Sequence, residues 1–133
     1  MNRNYFFVAE RAEYRCEYCR APEQVFNFHF EIEHIVPSSL GGKDVRDNLA
    51  LACTACNLFK SNVIEAFDET TNRVVRLFNP RLDAWLEHFH VNTASALIEG
   101  QTAIGRVTIT ALHINSRRQI LARLEWIQVG KFP

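Results

Sequence analysis

The 133-residue chain has no apolar stretch long enough to cross a bilayer, and the run inside Met1 to Glu10 is too short for a secretory leader. A cytoplasmic location is therefore the expectation, one in which thiols stay reduced. An excess of charge of either sign is also missing: 15 Lys and Arg balance 15 Asp and Glu. A basic surface for nucleic acid would have to come from local clustering rather than from net charge. Internal repeats and low-complexity segments are absent, which excludes repeat architectures and linker-like chains. What the chain does have is hydrophobic residues, 47% of the total, in keeping with a folded protein. Its length allows one domain with a core, or a small metal-bound module with an extension, and is too short for two ordinary domains.

Four cysteines stand in two Cys-x-x-Cys pairs, Cys16 with Cys19 and Cys53 with Cys56. Two such pairs on a chain expected in a reducing compartment point to one Zn²⁺ held tetrahedrally by four thiolates, in preference to two disulfides. A redox dithiol role is the weaker reading, because no βαβ pattern surrounds either pair. The metal would close a loop that carries Glu33-His34, Asn48-Leu49 and Cys56-Asn57.

Hydrophobic periodicity predicts a short helix over Tyr5 to Tyr14 and a loop over residues 20–29 with a strand at Val25 to Phe28. Phe30 to Val36 alternates as a strand does, with Phe30, Ile32, His34 and Val36 on one face and Glu31, Glu33 and Ile35 on the other. Strict alternation therefore sends Glu33 and His34 to opposite sides. Pro37 ends the strand and Gly41-Gly42 marks a turn-rich loop. Leu49 to Cys53 reads as a second strand, and Thr54 as the cap of a helix running to about Ala66. A hairpin turn is expected over Asp68 to Asn72, a helical turn over Asp83 to His88 with Trp85 and Leu86 inward, and a strand pair over His88 to Val91 and Ala96 to Glu99. Thr102 and Ser116 read as caps of two closing helices with apolar stripes at Ile104, Val107, Ala111 and Leu112, and at Ile120, Leu121, Leu124 and Ile127. Arg117, Arg118 and Arg123 read as a solvated helix face. The class is α+β, with residues 1–78 as a zinc-stapled module and residues 79–133 as an extension packed on it.

In order, Cys16-x-x-Cys19, Glu33-His34-Ile35-Val36-Pro37, Gly41-Gly42, Asp47-Asn48-Leu49, Cys53-x-x-Cys56-Asn57 and Lys60 resemble the HNH endonuclease family, whose fold is the ββα-metal finger. Leu77 to Arg81, Trp85 and Gly105-Arg106-Val107-Thr108 resemble small free-standing bacterial members at a weaker level. The resemblance implies His34 as general base, Glu33 and Asn57 as ligands of a catalytic divalent ion, and Asn48 as the residue that fixes the loop beside the base. It implies DNA as substrate and products with 5′ phosphate and 3′ hydroxyl ends. Lys60, one helical turn after Asn57, could contact a phosphate. With a Glu carboxylate and an Asn amide, the ion would be Mg²⁺ or Mn²⁺, bound weakly. One site per chain nicks one strand; cutting both needs a dimer or two events.

Plainer readings stand beside these. Taken alone, His34 on an apolar-alternating strand is more often a buried, hydrogen-bonded histidine, and Asn48 after Asp47 is ordinary turn chemistry. The competing function is a zinc module without catalysis that binds nucleic acid or protein. A carboxylate, a histidine, an asparagine and a lysine at the four chemical positions speak against it, since a scaffold needs only the cysteines and a core.

Overall fold

Two short strands, β1 (Glu31–His34) and β2 (Leu49–Ala52), pair antiparallel with Glu31 opposite Ala52 and His34 opposite Leu49. In the computed structural model, which describes all residues from Met1 to Pro133, this hairpin is the centre of the first of two compact units, Met1–Asn62 and Val63–Pro133. The class is α+β, built from short antiparallel hairpins and helices. No helix is long and apolar enough to cross a membrane. The division falls after Asn62, and the hairpin over residues 65–76 lies wholly in the second unit.

Every residue of β2 is buried, which its unbroken Leu-Ala-Leu-Ala run dictates. Helix α1 (Tyr5–Arg11) packs on β2, and Arg11 carries the contact further by donating to the Leu49 carbonyl at 2.6 Å and the Arg46 carbonyl at 3.0 Å. Helix α2 (Thr54–Lys60) follows β2 directly. Its N-cap is Cys53, not the expected Thr54: the Cys53 sulfur accepts from the Cys56 amide at 3.4 Å. Nor does the helix reach Ala66. Ser61 adopts φ +46° and ψ −123°, a break outside helical space, and the β-branched Val63 and Ile64 then lead into a strand. The strand expected at Val25 to Phe28 is a 3₁₀ turn over Glu23–Val25, anchored where the Glu23 carboxylate accepts from the Phe30 amide at 2.7 Å and from the Tyr5 hydroxyl.

In the second unit β3 (Glu65–Asp68) and β4 (Arg73–Arg76) form the hairpin expected around Asp68 to Asn72, and a short α3 (Trp85–His88) leads into β5 (Phe89–Val91), which pairs with β6 (Ile98–Gly100). Helix α4 (Ala103–Ala111) lies against β3, β4 and β6. Gly105 permits that approach: a Cβ there would meet the His88 carbonyl oxygen at 2.1 Å. Thr102 and Ser116 cap α4 and α5 (Arg117–Gln128) by accepting from the amides of Gly105 and Gln119. Two expectations need correcting. Leu86 and Leu121 are exposed, since α3 is a single turn that buries little and Leu121 lies at the edge of the α5 face on which Ile120, Leu124 and Ile127 are half-buried. Arg123, expected in solvent, is only 1% exposed. Its guanidinium donates to the carbonyls of Ala96 at 2.6 Å and Ile114 at 2.7 Å, holding loop ends that no sheet ladder satisfies.

Candidate active site and metal centre

Cys16 and Cys19 flank a turn before β1, and Cys53 and Cys56 span the β2–α2 junction, so the hairpin register brings the two pairs together. All four are buried and free of disulfides, with sulfurs within 4.8 Å of one another. Cys19 and Cys53 lie 3.7 Å apart, against about 2.04 Å for a disulfide and about 3.8 Å for the edge of a tetrahedron with Zn–S bonds of about 2.3 Å. The cluster is positioned to form a zinc site. Its protonation makes the same point: burial raises the Cys16 thiol, but hydrogen bonds with Cys19, Cys53 and Cys56 outweigh it and draw its pKa well below the usual value. Hydrogen bonding to Cys16 and Cys19 pushes Cys53 and Cys56 up. A divalent ion in such a pocket would let all four thiols ionise.

The alternation of β1 holds, with its carboxylate face turned inward. Glu33 is 6% exposed and Lys60, on α2, only 1%. The Lys60 ammonium lies 3.1 Å from Glu33 Oε2 and donates to the carbonyls of Ile35 at 2.8 Å and His34 at 3.3 Å. Its three donors are thus directed at oxygens of three consecutive residues, Glu33, His34 and Ile35. The other Glu33 oxygen accepts the Tyr18 hydroxyl. Burial pushes the Glu33 pKa above its usual value, opposed by the charge of Lys60 and by the hydrogen bonds from Tyr18 and Lys60. Burial, followed by the charge of Glu33, also raises the Tyr18 phenol. Two residues earlier on the same face, Glu31 has one buried carboxylate oxygen with no hydrogen-bond partner.

His34 faces the other way. Its side chain is 36% exposed, so the buried histidine of the plainer reading is not what forms, and Nε2 lies 3.1 Å from Asp44 Oδ1. Asp44 sits in the loop between the strands, and Asn48 holds that loop. The Asn48 side chain accepts from the Val36 amide at 2.9 Å and donates to the carbonyls of Val36 at 3.0 Å and Lys43 at 2.9 Å, while its own carbonyl accepts from the Ile35 amide. Gly42 has to be glycine, because a Cβ there would fall 1.7 Å from the Val36 carbonyl oxygen.

Residues 16–62 match the HNH endonuclease family. The match takes in both cysteine pairs, the hairpin and α2, so this segment is similar to a family of nucleases. Neither the curated proteins nor the solved structures contain a match to the chain.

Within the HNH segment, His34, Asn48, Lys60 and Glu33 meet around one end of β1, and Asn57 lies one turn before Lys60 on α2. Glu33 as it stands does not fit a second cation, since both oxygens are engaged and an ammonium is 3.1 Å away. Lys60 is turned into the interior rather than toward a phosphate. Sequence reasoning missed Tyr18 and Asp44. Tyr18 sits between the first two cysteines and Asp44 two residues after a glycine pair, positions whose local patterns give no sign of a partner 15 or 10 residues away.

Proposed function

We propose that the first unit hydrolyses DNA phosphodiester bonds, with His34 as general base. The observation that carries the reading is His34 itself: an imidazole open to solvent on a strand whose carbonyl oxygens are gripped by Lys60, beside a loop pinned by Asn48. A neutral imidazole, with an unperturbed pKa of about 6.5, takes a proton from water near neutral pH. The resulting hydroxide attacks phosphorus in line, the P–O3′ bond breaks, and the 3′ oxygen leaves to be protonated by solvent. Products would carry 5′ phosphate and 3′ hydroxyl ends, and each site would nick one strand, with dimer formation one route to cutting both.

The four cysteines would hold one structural Zn²⁺, which ties the start of the segment to α2 and so fixes the frame of His34. Family resemblance also implies catalytic Mg²⁺ or Mn²⁺ at Glu33 and Asn57. In the arrangement described, that would require Glu33 to leave Lys60, and Lys60 acts on the base through the backbone. Arg73, Arg117 and Arg118, all exposed, are charges of the second unit that would add DNA affinity, and in this reading residues 63–133 help hold DNA.

The enclosed Glu33 favours a second reading, a zinc module that keeps the fold and binds nucleic acid or protein without cutting it. Conversion of supercoiled plasmid to nicked circles separates the two. The hydrolase reading predicts nicking by zinc-loaded protein once Mg²⁺ or Mn²⁺ is added; zinc-loaded protein that binds DNA and leaves it intact under every condition would favour the module.

A further inference from the structure

We propose that Asp44 is a positioning residue for His34: it fixes the ring proton on Nε2 and so leaves Nδ1 as the basic nitrogen. The proposal rests on the reading of His34 as general base and adds which atom does the work and what selects it. A carboxylate oxygen can only accept, so at 3.1 Å from Asp44 Oδ1 the Nε2 atom must be the donor, and in a neutral imidazole the lone pair then falls on Nδ1. No other hydrogen-bond partner competes for the ring.

Both partners are exposed, His34 at 36% and Asp44 at 61%, and an unsupported surface pair of this kind would be fluid. This one is supported from both sides. The strand under His34 is held by the Lys60 ammonium through the His34 and Ile35 carbonyls. The loop under Asp44 is held by Asn48, whose amide donates to the carbonyl of Lys43, the residue just before Asp44. The Gly42 amide donates to the Pro37 carbonyl at 3.0 Å, which closes the loop back toward the end of the strand. Two fixed backbones therefore present the carboxylate to one edge of the ring and leave the other edge to water. A residue that acts this way alters the reactivity of bound substrate and leaves substrate affinity alone.

The test has two readouts. In ¹⁵N-labelled, zinc-loaded protein, at a pH where the His34 signals no longer move on adding base, those signals, assigned by their loss in His34→Ala, should report the Nε2–H tautomer. Asp44→Ala should shift them toward a mixture with Nδ1–H. In plasmid nicking, Asp44→Ala should lower kcat about 10- to 100-fold, the range for partners that orient a functional imidazole, with KM within about twofold. An Nδ1–H tautomer in the wild type, or the same tautomer population in Asp44→Ala, overturns the proposal. So does recovery of Asp44→Ala by excess Mn²⁺, which would make Asp44 an ion ligand. If the wild type shows the Nε2–H tautomer dependent on Asp44 but never nicks DNA, the hydrolase reading fails while the positioning of the ring proton stands.

Discussion

Lys60 and Glu33 meet at 3.1 Å inside the first unit, an ion pair of which neither member reaches solvent to any useful extent. Such a pair adds little net stability over a hydrophobic one, because desolvation cancels much of the attraction, yet losing one partner strands the other. What it gives here is geometry, since the same ammonium holds the backbone of the candidate base.

Lys60→Met should therefore destabilise the first unit by about 3 to 5 kcal/mol, and adding Glu33→Gln should recover part of the loss. Hydrogen exchange of the β1 and β2 amides in zinc-loaded protein measures both. Equal protection in the single variant and the wild type would mean the pair has no such role.

Metal removal should unfold the same unit. Structural zinc contributes apparent binding energies of about 10 to 16 kcal/mol, comparable with the 5 to about 15 kcal/mol that stabilise an ordinary domain. Protein as purified should contain about one zinc per four cysteines, and chelation or Cys53→Ala should abolish protection in β1 and β2. A metal-free chain that keeps that protection would remove zinc from the account.

Asn48→Ala deletes an amide that bonds Val36 twice and Lys43 once. Leaving those backbone groups unpaired should cost about 1 to 3 kcal/mol and speed exchange in the loop between β1 and β2. Nicking should fall with it, while DNA affinity stays near that of the wild type. If loop exchange does not change, Asn48 is an ordinary turn residue.

Acid should weaken the second unit through Asp68 and Asp83. Hydrogen bonds from Arg106 and Thr71 hold Asp68 below the usual carboxylate range, and Arg76 does the same for Asp83. A depressed native pKa gives stability that is present above the unfolded value of about 3.9 and lost as pH falls below it through the native one. Trp85 and Trp126, the two tryptophans of the chain, both lie in this unit, so their fluorescence reports it selectively. The denaturation midpoint should be steady above pH about 5 and drop below about 4, and Asp68→Asn should blunt the drop. A midpoint independent of pH would contradict the assignment.

Local pattern made much of this fold readable. The β1 alternation, the Asp68–Asn72 turn and the Thr102 and Ser116 caps each depend on residues within a few positions of one another, and all formed. The end of α2 was not readable, because it is set by the Ser61 backbone and by where the next strand begins. Burial of Arg123 was hidden for a similar reason: its partners are carbonyls 27 and 9 residues away, and no pattern in α5 announces them. At the candidate site the cysteine spacing announced its own metal centre. Alternation separated Glu33 from His34, but the pairing of Lys60 with Glu33 spans 27 positions and emerges only when α2 folds back on the hairpin.

The most direct measurement is the rate at which purified His34→Ala nicks supercoiled plasmid, set beside the wild type at saturating DNA. Both proteins should carry equal zinc and bind DNA equally, since a general base acts in the transition state. The account predicts a rate lower by about 10² to 10⁴. A zinc-loaded His34→Ala protein that nicks as fast as the wild type would contradict it.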